Sequence, residues 1–165
     1  MDKLIIGIDL CDAYTQAAVA GRDETWVIPT VICRKKTDGG WYVGEEAYKY
    51  TLTGEGVIVD KLLSLAVKDG TATISSVKYQ GAELLRMYLE RILDMIRAEY
   101  PGVPVAQLVI SLENMEMKLM DCLMGCADAL GISRDLVHIA SHTECFVYYK
   151  DLIELTESLF RTLAQ

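Results

Sequence analysis

The chain has 165 residues, of which 52% are hydrophobic and 24% charged, and its formal net charge is −8 at pH 7. This size predicts one domain with one core, and the acidic balance disfavours a nucleic-acid partner, whose phosphates carry the same sign of charge. No apolar run approaches the roughly 20 residues of a membrane span, no secretion signal is recognisable at the start, and the cysteines are scattered, so we expect a cytoplasmic protein without a membrane partner.

The first part of the chain predicts short strands joined by tight turns. Residues 4–9 form a continuous apolar run that ends in an acid, which is typical of a strand covered on both faces. Residues 15–20 and 25–28 are separated by a turn-forming Gly-Arg-Asp triplet, which favours antiparallel pairing. Pro29 ends this pattern, and residues 29–79 are predicted as an irregular insert.

From residue 80 onward the apolar spacing becomes helical. A helix over about 80–99 is predicted by four residues that recur at every third or fourth position, namely Leu85, Leu89, Ile92 and Ile96. A buried strand at 108–112 follows, then a helix whose apolar face consists of Met120, Leu123, Met124 and Ala127. Gly131 is placed to end this helix.

The chain closes with one more strand and one more helix. Residues 136–140 predict the strand, and the apolar face of the last helix consists of Leu152, Leu155, Leu159 and Leu163. The order is three strands, the insert, and then alternating helices and strands. Strands joined through helices run parallel, whereas the opening hairpins are antiparallel. We therefore predict an α/β fold with a mixed sheet covered by helices.

Several local segments, in this order, resemble the first lobe of the actin, sugar-kinase and heat-shock-chaperone ATPase superfamily. Residues 5–10 (IIGIDL) are similar to the first phosphate-binding strand, residues 26–31 (WVIPTV) to an Ile-Pro-Ser-Val segment, and residues 41–47 (WYVGEEA) to a Val-Gly-x-x-Ala segment. Residues 59–63 (VDKLL) resemble the stretch that brings a catalytic lysine to the phosphates. The resemblance implies a ribonuclease-H-like core, with residues 1–165 as a single first-lobe domain.

The resemblance also implies a set of nucleotide- and phosphate-binding residues, namely Asp9, Leu10, Cys11, Asp12, Ala13, Lys61 and His142. It implies Mg-ATP as the cofactor, with Asp9 holding magnesium through water. Three positions depart from the family. Cys11 replaces a turn glycine, Asp12 places a negative charge where the family has a hydroxyl, and His142 replaces a glutamate that positions water. No catalytic residue is therefore assigned, and we expect no bound cofactor and no ATP hydrolysis by this chain alone.

The family binds nucleotide between two lobes, and this chain lacks the phosphate and adenosine loops of the second lobe. Either it is part of something longer or it is a free-standing half, and its partner is then the missing lobe, another protein or a second copy of itself. Three functions remain open: a divergent nucleotide-binding lobe, a non-catalytic scaffold that has lost nucleotide binding, and a metal-dependent nuclease that uses Asp9 and Asp12.

Two further groups of residues have a structural and a functional interpretation. Cys122 and Cys126 are four residues apart and share a helix face, which could hold a metal, but no further Cys or His pair follows at ligand spacing. We therefore expect them to be core residues. His138 lies within an apolar strand and His142 just beyond it. We expect His138 to be buried and hydrogen-bonded and His142 to lie at the surface.

Overall fold

The computed structural model describes residues 3–145 and 161–164 of the chain. Its strands are β1 (Leu4–Leu10), β2 (Tyr14–Val19), β3 (Thr25–Pro29), β4 (Ile32–Lys35), β5 (Trp41–Val43), β6 (Gly56–Val59), β7 (Thr71–Ile74), β8 (Val77–Gln80), β9 (Val105–Leu112) and β10 (Val137–Ser141). Its helices are α1 (Gly44–Leu52), α2 (Leu62–Val67), α3 (Gly81–Glu99) and α4 (Met117–Ala129), and a short 3-10 helix covers Arg134–Leu136. Residues 142–145 are also helical.

The main sheet has five strands in the order β10-β9-β1-β2-β3. β1 pairs with β9 and β9 with β10 in parallel, whereas β1–β2 and β2–β3 are antiparallel. The parallel pairs are joined through helices and the antiparallel pairs through short turns, as their geometry requires. The predicted ribonuclease-H-like mixed sheet, with three antiparallel opening strands followed by parallel strands, is confirmed.

One face of this sheet carries the main core. Along β1 the residues Leu4, Ile6, Ile8 and Leu10 are at most 2% exposed and join the core cluster with the apolar face of α3, whereas Ile5 on the opposite face is 43% exposed. Successive side chains of a strand point to opposite faces, so Asp9 shares the second face with Ile5. The predicted helical face of α3 is confirmed, since Leu85, Leu89, Ile92 and Ile96 are all buried.

The segment 29–79 contains a three-stranded antiparallel sheet, β5-β4-β6, the hairpin β7-β8, and the helices α1 and α2. Val31, Cys33 and Ala47 form a small second core there. The short helix α2 also belongs to the main core through Leu62, and it packs against α3 and α4. The insert therefore joins the main core through α2.

Two expectations need correction and one lies outside the described residues. His138 is exposed, because it lies on the second sheet face rather than on the core face. The buried face of α4 is formed by Leu119, Leu123, Cys126 and Ala127, and the two predicted methionines are only half-buried. The predicted last helix falls mostly on residues 146–160, outside the described residues. No described helix is long and apolar enough to cross a membrane.

Candidate functional site

The predicted site residues converge where the parallel strands of the main sheet end. Asp9 is next to last in β1, Ser111 is next to last in β9, and His142 directly follows β10. Asp9 and Ser111 are register partners across the β1–β9 pair. In mixed and parallel α/β sheets, ligand sites form beyond the carboxyl ends of such strands. The candidate site is therefore in the position that the fold favours.

The Asp9 carboxylate is the centre of this cluster. Its Oδ1 lies 2.5 Å from Nε2 of His142, accepts a hydrogen bond from Oγ of Ser111 at 3.0 Å, and lies 4.0 Å from Sγ of Cys11. The side chains of Asp9 and His142 are 40% and 37% exposed. The structure thus brings together three of the seven predicted residues, and adds Ser111, which the sequence did not indicate.

His142 is held in place by the start of a helix. The hydroxyl oxygen of Ser141 accepts a hydrogen bond from the backbone N–H of Glu144 at 3.0 Å. This is the N-cap contact of a Ser-x-x-Glu sequence, in which the residue after the serine begins the helix. His142 therefore occupies the first helical position, aimed at the end of β1.

A buried chain of hydroxyl groups anchors Cys11. Thr30 donates to the Cys11 carbonyl oxygen at 2.6 Å, and its Oγ1 lies 2.8 Å from that of Thr15. The Tyr88 hydroxyl donates to Thr15 at 2.8 Å and also lies 3.3 Å from the Pro29 carbonyl oxygen. Because the Thr30 proton goes to Cys11, Thr15 must donate to Thr30. Thr15, Thr30 and Tyr88 are all 0% exposed, and burial raises the pKa of Tyr88.

The Cys11 thiol lies in an electronegative environment. Burial raises its pKa, and the charges of Asp9, Glu113 and Asp12 raise it further. All three carboxylates disfavour a second negative charge at the thiol. The same field disfavours a phosphate and favours a cation at this position.

The Asp12 carboxylate is hydrogen-bonded to the first turn of α2. Its Oδ1 accepts hydrogen bonds from the backbone N–H groups of Leu63 at 2.9 Å and Ser64 at 3.3 Å, and its Oδ2 accepts from the Ser64 hydroxyl. Lys61, at the N-cap of α2, has a left-handed backbone with φ of 51° and makes no side-chain cap. Asp12 therefore supplies, from 51 residues away, the acceptor that the first turn of this helix needs.

A cavity of about 250 Å³ lies beside the β1–β2 turn. Its polar side chains include the acidic Asp12, Glu113 and Glu116 and one lysine, Lys68. The predicted Lys61 does not line it: it is exposed and borders a neighbouring cavity. Of the other predicted residues, Leu10 is buried below the cavity and Ala13 is exposed.

The residues at the β1–β2 turn are poorly suited to bind the Mg-triphosphate that the resemblance to the ATPase superfamily implies. The backbone N–H of Cys11 is occupied by the Tyr14 carbonyl oxygen at 3.3 Å, and Asp12 is occupied by α2. Asp9 has protein donors on one oxygen, and the neighbouring imidazole and thiol are ligands for softer metals than magnesium. Mg-ATP binding stays a prediction, and the donor set does not favour it.

Sequence reasoning missed Ser64, Ser111, Thr15, Thr30 and Tyr88. Two of these had a detectable signal: Thr30 stands where the Ile-Pro-Ser-Val segment of the family has its hydroxyl, and Tyr88 falls on the apolar face of α3 with Leu85 and Leu89. The other three became recognisable only through strand register and helix packing.

The chain is similar in fold to a structure of MamK, an actin-like protein, determined as a non-polymerising mutant bound to AMPPNP. The TM-score is 0.62 at 18% sequence identity, and the match covers 85% of this chain but only 41% of the MamK chain. The chain therefore has an actin-like fold and spans less than half the length of that structure. No curated protein sequence matches it.

The sequence itself matches one family over most of its length. Residues 13–151 fit the family described as "Family of unknown function (DUF5716) C-terminal". This range includes the insert, the main helices and the His142 segment, but Asp9, Cys11 and Asp12 precede it. The chain belongs to this family and has an actin-like fold.

Proposed function

We propose that this chain is an actin-like first-lobe domain that does not hold or hydrolyse Mg-ATP by itself and that acts as a docking module for a second lobe or another protein. The observation that carries the proposal is the contact of Asp12 with the first turn of α2. The phosphate turn of a working site must offer free N–H groups and hydroxyls. Here that turn carries a carboxylate that caps a helix instead.

The contact between Asp9 and His142 supports the loss of hydrolysis. His142 stands where the superfamily has a glutamate that positions the attacking water, and it is committed to Asp9 at 2.5 Å. With Glu113 and Glu116 also facing the cavity, an approaching triphosphate meets like charge near the turn. The nuclease interpretation needs Asp9 and Asp12 to act together, and Asp12 is not part of the cluster around Asp9. The structure therefore gives this interpretation no support.

Mg-ATP and Mg-AMPPNP added to the purified chain test the first half of the proposal. A ligand at 100 times its dissociation constant stabilises the folded state by about 2.7 kcal/mol, which in a domain of this size raises Tm by roughly 5–10 °C. We expect no shift with either nucleotide at millimolar concentration. A reproducible shift of several degrees, with matching heat in calorimetry, would overturn the proposal.

Exposed apolar side chains at the carboxyl end of the sheet support the docking role. Tyr14 is 54% exposed, Met115 38% and Met117 77%, and the two methionines alternate with the acidic residues that border the cavity. Exposed apolar groups rimmed by polar ones commonly mark protein interfaces. In the isolated chain a second copy is the simplest cover for this edge.

Light scattering over a range of protein concentrations tests this edge. We expect concentration-dependent self-association that weakens in Met117→Lys. The matched control is Leu52→Lys, because Leu52 is 86% exposed at the end of α1 and does not border the cavity. A monomer at all concentrations, or an equal effect of both substitutions, would contradict docking of a second copy here.

A second candidate is a nucleotide-binding lobe that works only when another lobe completes it. The cavity beside the turn and the presence of Lys68 on its wall favour this candidate. It predicts Mg-ATP binding in a longer chain that includes the second lobe, and weaker binding in Lys68→Ala of that chain. Absence of calorimetric heat in the longer chain would eliminate it.

A further inference from the structure

We propose that Asp9, Cys11 and His142 form a binding site for a divalent transition-metal ion of the zinc class. A carboxylate, a thiol and an imidazole converge there, and one ligand atom of each lies within 4.8 Å of the others. The proposal does not depend on nucleotide binding and goes beyond the docking role.

The distances are close to those of a tetrahedral site. Bond lengths of about 2.0 Å to oxygen and nitrogen and 2.3 Å to sulfur place neighbouring ligand atoms about 3.3–3.5 Å apart. The separation between Asp9 and Cys11 is 4.0 Å and that between Asp9 and His142 is 2.5 Å. An ion therefore needs the imidazole to move away from the carboxylate by less than about 1 Å and the thiol to approach it by about 0.5 Å. The ion takes the place of the proton that the imidazole and the carboxylate share.

The donor set selects the metal. Thiolate and imidazole bind zinc-class ions, whereas magnesium and calcium take oxygen ligands. Three protein ligands leave the fourth tetrahedral position to water or to a substrate atom, as in zinc sites that do chemistry. The side chains of Asp9 and His142 are 40% and 37% exposed, so this position is accessible.

The surroundings orient the ligands and favour a cation. Ser111 donates to Asp9 at 3.0 Å, which is the kind of outer contact that fixes a ligating carboxylate. Thr30 fixes the Cys11 backbone, and the Ser141 cap fixes the helical turn that carries His142. Glu113 adds negative charge near the thiol without being a ligand. The three ligands are thus presented by the end of β1, by the hydrogen-bonded turn that follows it and by a capped helix.

Cobalt(II) titration of the 165-residue chain, without nucleotide, tests the proposal. A tetrahedral cobalt site with a thiolate ligand gives visible d–d bands and a near-ultraviolet sulfur-to-cobalt charge-transfer band. We expect both bands to saturate at one cobalt per chain, to disappear on addition of zinc, and to persist in millimolar magnesium. Absence of the charge-transfer band in the unmodified chain overturns the proposal.

Variants distinguish this site from the pair of thiols on α4. In Cys11→Ser the charge-transfer band is lost, and in His142→Gln the affinity for cobalt falls by more than in Ser111→Ala, for which we expect about a tenfold loss. Cys122→Ser is the matched control, because Cys122 and Cys126 are close partners on α4 and could bind a metal by themselves. Loss of the band in Cys122→Ser with retention in Cys11→Ser overturns the proposal. Far-ultraviolet circular dichroism verifies that each variant is folded.

Discussion

The buried hydroxyl chain under the β1–β2 turn leads to a quantitative prediction. Tyr88→Phe removes the donor to Thr15 and keeps the ring in the core, where Tyr88 is 0% exposed. Loss of a partner from a buried polar group costs about 1–2 kcal/mol. For a domain of this size that lowers Tm by roughly 2–8 °C.

Thr30→Val extends the same test toward the turn. It removes the hydrogen bond to the Cys11 carbonyl oxygen at 2.6 Å and leaves the Thr15 proton without an acceptor. With two buried groups deprived of a partner, we expect a larger loss of about 2–3 kcal/mol. The double variant with Tyr88→Phe should cost less than the sum of the single ones, because both act on Thr15.

Urea unfolding followed by circular dichroism measures these losses, with Tyr100→Phe as the control. Tyr100 donates to Glu24 at 2.8 Å in an exposed position, and exposed substitutions of this kind change stability by less than about 0.5 kcal/mol. If Tyr88→Phe were no more destabilising than Tyr100→Phe, the hydroxyl chain would not be an anchor of the turn.

Three further predictions concern the helices and the turn. Gly81→Ala should destabilise the fold despite the higher helix propensity of alanine, because its Cβ would lie 2.7 Å from the Leu65 carbonyl carbon; Gly125→Ala, with nothing within 4 Å, should stabilise it by up to about 1 kcal/mol in urea unfolding. Equal signs for the two would refute this. Asp12→Ala should cost about 1–2 kcal/mol through loss of the α2 cap, and an unchanged urea midpoint would contradict that role. The pKa of Cys11 is raised, and only the thiolate reacts as a nucleophile, so iodoacetamide at pH 8 in the presence of a chelator should modify Cys11 more slowly than it modifies the cysteine of a free peptide. Mass spectrometry measures both rates, and equal rates would contradict this prediction.

The sequence by itself determined the elements whose signal is local. The apolar run that became β1, the spacing of Leu85, Leu89, Ile92 and Ile96 in α3, and the turn at Gly131 with its φ of 74° each depend on neighbours within a few residues. The order of strands and helices then fixed which pairs of the main sheet are parallel, since only helical connections allow it. Asp9, Cys11 and His142 were selected through the resemblance to the ATPase superfamily, and the strand order explains why they meet beyond the end of β1.

Only the tertiary structure decided what these residues do. Asp12 caps a helix 51 residues away, and Asp9 contacts His142 across 133 residues, contacts that strand register and helix packing create and that no sequence window contains. The prediction for His138 was wrong because His138 lies on the sheet face opposite the main core, in the edge strand β10, and the sequence showed neither the face nor the edge position. The unusual residues of the turn were visible in the sequence. That Asp12 caps α2, and that Cys11 lies beside the Asp9 carboxylate and the His142 imidazole, depends on how α2 and β10 pack near the end of β1.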